Sequence, residues 1–355
     1  MAMDDTLSGV RNKRGDWAPH RRNEIAPFWA WPPRLTQVLK WIPGYLFPWN
    51  AFHMATALLW WYAVVPEVAT MKTLSWSWCG GMLLVNWFAY VVFYGLFEWR
   101  YCLRKVQGRL FKYHHKFPSE QASDVFWFRS QNIDNFLRSV LISVPLWTVV
   151  QVAFLWAFAN GLAPWLAWAD HPLYLAALVL MAPAIHEVHF YVIHRALHTD
   201  WLYKKIHSVH HNSVNPSPWS SLSMHPVEAF LYHAVALWHL VIPSNPIVAM
   251  YQLHMASFGA INGHLGFDRL ALGADRGLAA HAYAHYLHHK YFEVNFGGDG
   301  LVPLDHWLGT WHDGSKDGDR LMQARHERKL ERMNARQSAR REVPKGSTSP
   351  SRDGA

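Results

Sequence analysis

The sequence predicts an all-α protein: a polytopic membrane helical bundle of about four transmembrane helices plus a possible re-entrant hairpin, with a histidine-rich metal cap at its cytoplasmic face. Three observations predict it. The 355 residues are 51% hydrophobic and only 16% charged, against about 25% charged for an average soluble domain. There are 21 Trp, a residue that collects at membrane–water interfaces because its ring suits both phases. Of the 24 His, 18 lie between His186 and His312.

The elements follow in chain order. Residues 1–40 are polar and basic, with Arg11, Lys13, Arg14, Arg21 and Arg22, and read as a cytoplasmic arm. Residues 41–170 hold the N-terminal transmembrane helices and a basic loop. Apolar segments run from about Asn50 to Val68, from Trp76 to Phe97 and from Val140 to Ala159. A fourth starts at Leu173, inside the 171–314 unit, and runs into the first histidine cluster. Each approaches the roughly 20 residues that a bilayer-crossing helix needs. The loop with Arg100, Arg104, Lys105, Arg109, Lys112 and Lys116 belongs on the cytoplasmic side, because positive charge stays inside. The arm, this loop and the chain beyond His194 then share that side, as do both termini. A further apolar stretch, Ala229 to Ala260, contains Pro243 and Pro246. Either as a shallow hairpin or as two crossings, it leaves both histidine groups on one side. Residues 315–355 are a polar tail, with a charged surface helix over Arg325 to Arg341 and a disordered end from Pro344.

Composition also excludes. The net charge of +8 is scattered in short clusters between apolar stretches, which fits anionic headgroups rather than nucleic acid. Cys79 and Cys102 form no C-x-x-C motif and read as structural. The N-terminus has no signal-peptide pattern. The last residues, Ser351 to Ala355, carry no recognisable retrieval signal, which favours a bacterial inner membrane over the endoplasmic reticulum.

The chemistry lies in three clusters. His194 and His198 are four apart and share a helix face; Glu187 and Tyr191 fall near it. His207, His210 and His211 form one H-x-x-H-H, and His285, His288 and His289 a second. On a helix the first and third imidazoles of such a motif sit one turn apart with the middle one beside them, so two metals can share the face. Neutral imidazole suits zinc, copper, iron and nickel. Eight histidines exceed the four ligands of a structural zinc and fit two ions with four each. Ionisable side chains beside apolar helices are costly and usually functional. Side chains alone do not break an unactivated C–H bond; that needs an oxidant derived from dioxygen.

These motifs in this order resemble the fatty acid hydroxylase / sterol desaturase superfamily. They read His194-Arg195-Ala196-Leu197-His198; Lys204 to His211; His225-Pro226-Val227-Glu228; Gly263-His264-Leu265-Gly266; and His285 to His289 followed by Asn295 and Gly309-Thr310. The resemblance covers about residues 170 to 312. It implies a two-iron centre in the 171–314 unit, dioxygen as co-substrate, and electrons from NAD(P)H. It implies oxidation of a lipid: a fatty acyl chain, a sterol or a polar aminolipid. The eight motif histidines would be metal ligands and His264 a ninth. His225 is a weaker candidate, and Glu228 braces the site. Glu187 would orient a ligand imidazole, and Tyr191 and Asn295 are the further catalytic candidates. No cytochrome b5 domain is fused, so the donor, of cytochrome b5 or ferredoxin type, would be a separate protein. Hydroxylation is favoured over desaturation. A metal transporter or sensor is the competing reading, but transport sites lie near the bilayer midplane on broken helices, whereas these clusters sit at one face. A histidine belt sensing pH explains neither spacing nor order.

Overall fold

A computed structural model describes residues 4–118, 122–273, 277–298 and 300–342. It divides into Met1–Asp313 and Gly314–Ala355. The second unit is one charged helix, Lys316–Glu342; the tail expected to be disordered, 344–355, lies outside the described residues.

Helices dominate the first unit. α1 (Leu35–Leu46) and α2 (Trp49–Ala63) are separated by Phe47 and Pro48. Three long helices follow: α3 (Trp76–Leu103), α4 (Gln131–Ala159) and α5 (Pro172–Leu197). These are the described helices long and apolar enough to cross a membrane, and only 22% of the apolar window of α3 or α5 is buried. Their outer faces show Leu84, Phe88, Leu180 and Val192, as a lipid-facing surface requires. The expected first crossing is shorter than its apolar run suggested. α2 has 15 residues, about 22 Å at 1.5 Å per residue, against roughly 30 Å of hydrocarbon.

The stretch containing Pro243 and Pro246 is a hairpin of two helical limbs. α6 (Pro226–His233) and a 3₁₀ segment, Ala234–Leu240, descend, and α7 (Pro246–His264) returns. The turn pairs with the link expected outside: Ser244 N donates to Pro164 O at 2.9 Å, and Leu166 N donates to Ser244 O at 2.6 Å. α7 is buried along almost its whole length, so the returning strand of the hairpin is encased by other helices.

Polar side chains join the helices where lipid offers no partner. Trp60 Nε1 donates to Asn86 Oδ1 at 3.1 Å, and Asn86 Nδ2 donates to Thr148 Oγ1 at 2.9 Å and Gln151 Oε1 at 2.7 Å, linking α2, α3 and α4. At one end of the bundle the N-terminal arm is folded onto the loops. A hairpin of β1 (Gly9–Arg11) and β2 (Trp17–Pro19) docks through Trp17 N donating to Tyr113 O at 2.8 Å, and Tyr113 N donates to Gly266 O at 3.0 Å. Arg21 pairs with Asp268 at 2.7 Å, and Ala26 N donates to Gly300 O at 3.0 Å. A second hairpin, β3 (Arg269–Ala271) with β4 (Gly277–Ala279), and α8 (Tyr283–Tyr291) complete this end. Arm, basic loop and histidine clusters therefore occupy the same end of the molecule.

Candidate metal centre

Four segments bring nine histidines together here. α5 ends with His194 and the C-cap His198. A turn of π-helix, Tyr203–His207, leads into the short helix Ser208–His211; such widened turns recur at functional sites. α7 contributes His264 at its last residue, and α8 carries His285, His288 and His289. Gly263 permits the junction, because a Cβ there would lie 2.9 Å from His285 Cδ2.

The nine fall into two groups. His194, His198, His207, His211 and His288 form one; His210, His264, His285 and His289 form the other; within each, the ligand atoms lie within 4.8 Å of one another. The split is five and four rather than four and four, with His264 as the extra donor. The two H-x-x-H-H motifs divide in opposite senses. The one-turn pair His207/His211 enters the first group and His210 the second, whereas the one-turn pair His285/His289 enters the second group and His288 the first.

The geometry of the nitrogens tests whether a cation belongs there. Nε2 atoms of His198, His211 and His288 form a triangle with sides of 3.1, 3.2 and 3.1 Å. A ring nitrogen either donates or accepts, so in a triangle at least one pair must be alike. The second group gives a stronger case. His210 Nδ1 lies 3.3 Å from Ser223 O and His264 Nδ1 lies 2.9 Å from Ala260 O. A carbonyl only accepts, so both Nδ1 atoms carry the proton and both neutral rings present an Nε2 lone pair. Those two Nε2 atoms face each other at 3.1 Å. Facing lone pairs repel unless a cation sits between them. Ligands around an ion with metal–nitrogen bonds of about 2.1 Å are themselves about 3.0–3.4 Å apart, so the residues present fit a metal in each group.

Burial keeps the donors neutral, the form that binds metal. It pushes His198 down to about 2 and His210 to about 4. It also holds His207, His211, His285, His288 and His289 well below the ordinary imidazole value, with neighbouring histidines adding to the effect.

Around the donors sits a shell that turns several of the rings, a common feature of metal sites. His207 Nδ1 meets Glu228 Oε1 at 2.8 Å, His194 Nδ1 meets Phe296 O at 2.7 Å, and His288 Nδ1 meets Val294 O at 2.7 Å. Among the nine histidines, His207 thus meets a carboxylate, that of Glu228. Glu187, expected in that role, accepts from Gly300 N at 2.9 Å and Val302 N at 2.8 Å and so clamps a loop. Tyr191 accepts from Arg195 and packs edge-on to Phe296. Asn295, at φ 52°, spends its amide on Ala284 O and His312 O, both at 3.1 Å, and on His312 N at 2.8 Å. It braces the backbone of Ala284 and His312 and belongs to neither histidine group. His225 lies outside both groups and caps α6 by accepting from Val227 N at 3.2 Å.

Sequence reasoning missed Asp305. It accepts from Phe296 N at 3.0 Å, Gly297 N at 2.7 Å and Thr310 Oγ1 at 2.6 Å, and so fixes the peptide whose carbonyl orients His194. Its position just before the Gly309-Thr310 pair was the available signal. Asp305→Ala is expected to leave two buried amides unpaired, about 1–3 kcal/mol each, and to weaken metal binding roughly 10–100-fold, with Asp305→Asn intermediate. A chelator-competition titration measures it.

A third group, Asp16, His114 and His115, behaves differently. His115 Nδ1 is held by Asp16 Oδ1 at 2.7 Å, and His114 Nδ1 accepts from Lys116 N at 3.0 Å. It is a clasp between the arm and the basic loop.

A cavity of about 640 Å³ opens onto the donors, lined near them by His194, His210, His264, His285, Phe190 and Tyr232. Phe190 stacks on His194 with ring centres 4.6 Å apart.

Comparison with known proteins gives the same direction. Residues 178–310 match the family described as fatty acid hydroxylase. A delta(7)-sterol 5(6)-desaturase of Aspergillus fumigatus is 24% identical over 178 residues, covering 48% of each chain. Human lathosterol oxidase is 29% identical over 115 residues, 31% of this chain and 37% of its own. Sphinganine C4-monooxygenase 2 of Arabidopsis thaliana is 28% identical over 144 residues, 39% of this chain and 56% of its own. The chain spans about half the length of the curated relatives it matches. No solved structure matches it.

Proposed function

We propose, from the premise that residues 178–310 belong to the fatty acid hydroxylase / sterol desaturase superfamily, that this chain is an integral membrane di-iron oxygenase acting on a lipid. The observation that carries the reading is the pair of histidine groups with converging Nε2 atoms at the end of a cavity. His194, His198, His207, His211 and His288 would hold one ion, and His210, His264, His285 and His289 the other. Five donors exceed a closed tetrahedral zinc site, which favours iron. When bound, the iron pair supplies the dioxygen-derived oxidant that an unactivated C–H bond requires.

The chain's own residues do the rest. Glu228 and the carbonyls of Phe296 and Val294 hold protons on Nδ1 of His207, His194 and His288, turning each Nε2 inward. Phe190 and Tyr232 make the wall beside the donors apolar and keep water from the reacting carbon. Hydroxylation consumes the C–H bond, dioxygen, two electrons and two protons, and gives the alcohol and water. The electrons would come from NAD(P)H through a separate carrier of cytochrome b5 or ferredoxin type.

Topology supports a cytoplasmic site. The arm of residues 4–26 contacts the loops of residues 105–118 and 264–313, so the chain must cross the membrane an even number of times between them. Three long spans make three; α1 and α2 together would supply the fourth, broken at Phe47 and Pro48. The basic loops then lie inside.

The reaction is tested with ¹⁸O₂ in the iron-loaded protein reconstituted with membrane lipid extract and a reducing system. The expected product is a lipid gaining one ¹⁸O. A product two hydrogens lighter without label would assign desaturation instead. Unchanged lipid with intact iron would contradict the proposal.

A further inference from the structure

The cavity's outer wall is built by residues outside the matched domain. α1 presents two opposite faces. Leu35, Leu39 and Ile42, spaced four and three apart, are exposed at 70%, 56% and 37%. Lys40, Trp41, Gly44 and Tyr45 line the cavity from the other side. Residues three and four apart share a helix face, so one helix separates the lipid-facing surface from the space above the histidines.

α1 is also lightly held. None of its residues is buried. Among the described residues its one side-chain hydrogen bond is that of Tyr45, donated to Leu180 O on α5. Leu180 is itself exposed, at 53%, and lies on a long apolar helix. Pro43 interrupts the helical ladder inside α1, and a proline there removes a hydrogen bond and allows a bend. Gly44 follows it, and a Cβ at Gly44 would meet no atom within 4 Å. The space beside Gly44 is therefore open.

We infer that α1 is the partition between bilayer and cavity, and that the apolar chain of a membrane lipid enters sideways past Gly44, Trp41 and Tyr45 to reach Phe190 beside His194. The occupant is a bilayer amphiphile, entering chain first, and not a water-borne acyl carrier approaching from the aqueous end. Trp41 and Tyr45, stacked with ring centres 4.7 Å apart, form the aromatic edge that the chain passes. Lys40 stands at the mouth, where a polar headgroup would remain.

This inference rests on the lipid-oxygenase reading for its substrate, but its test needs neither iron nor dioxygen. The full chain is reconstituted in phosphatidylcholine vesicles containing a diazirine-bearing palmitic acid, illuminated, and its adducts are mapped by peptide mass spectrometry. Expected are adducts on Trp41, Tyr45 and Phe190 as well as on the outer residues Leu39 and Ile42. Gly44→Trp should lower the Phe190 adduct at least tenfold relative to the Leu39 adduct, whereas Gly44→Ala should leave the ratio within twofold and Trp41→Ala should raise it. Helicity and metal content of Gly44→Trp should match the parent. Adducts confined to the outer face would overturn the inference. So would a Phe190 adduct that ignores Gly44→Trp, or one formed only when a soluble acyl-carrier thioester of the same probe is supplied from the aqueous phase. If iron is absent but the labelling pattern holds, the oxygenase reading fails and the entry route stands.

Discussion

His288→Ala is expected to remove about one of two iron ions and to abolish turnover, because this ring serves the first group from both ends. Its Nε2 lies 3.1 Å from those of His198 and His211, and its Nδ1 meets Val294 O at 2.7 Å. It is fully buried, so no water-facing side chain replaces it. The loss in activity should exceed the roughly 10–100-fold typical of removing an outer-shell partner. His225→Ala is the control: it removes a helix cap, about 0.5–2 kcal/mol, and both irons should remain. Elemental analysis and turnover on the same preparations separate the outcomes; full iron and full activity in His288→Ala would remove this ring from the ligand set.

The second large effect is expected on metal removal. Without a cation, the Nε2 lone pairs of His210 and His264 face each other at 3.1 Å, and each group becomes a set of buried, unmatched acceptors. Metal affinity is then folding free energy for this end of the molecule. At free metal 1,000 times Kd each ion contributes about 4 kcal/mol, equivalent to about a thousandfold slower exchange for amides that open only when the site opens. Stripping the protein with chelator should therefore raise hydrogen exchange in α8 and in residues 292–312. The network of Asn86, Thr148 and Gln151 is distant in sequence and closed by its own hydrogen bonds, so it should keep its protection. Uniform loss across both regions, or no change in either, would count against a local metal clamp.

Much of this is legible in the sequence. Apolar runs of bilayer length locate α3, α4 and α5, because a helix facing lipid leaves its hydrophobicity unbroken in the sequence. The spacing of His194/His198, His207/His210/His211 and His285/His288/His289 marks imidazoles that converge in the fold, because a helix turn fixes which imidazoles are neighbours. What spacing does not hold is the exchange of partners between motifs. The π turn at Tyr203–His207 and the packing of α8 decide that His210 joins His285 and His289 while His288 joins His207 and His211. The roles of Glu187 and Glu228 were not separable for the same reason. Both are buried carboxylates near the clusters, and only the fold shows that one holds a loop and the other an imidazole. Asp305 was invisible because it acts through the backbone of Phe296, and the encasement of α7 was hidden because it depends on which helices pack around it. The docking of the arm onto this end was equally unreadable, since it depends on contacts such as Arg21 with Asp268 across most of the chain.

The most direct test of the central claim is the metal content of the detergent-purified protein, with elemental analysis and Mössbauer spectroscopy on one ⁵⁷Fe-grown sample. Two iron ions per chain, in nitrogen-rich high-spin sites, is the predicted result. Folded protein that takes up no iron, or only one ion however it is loaded, would contradict a two-metal centre built from nine histidines.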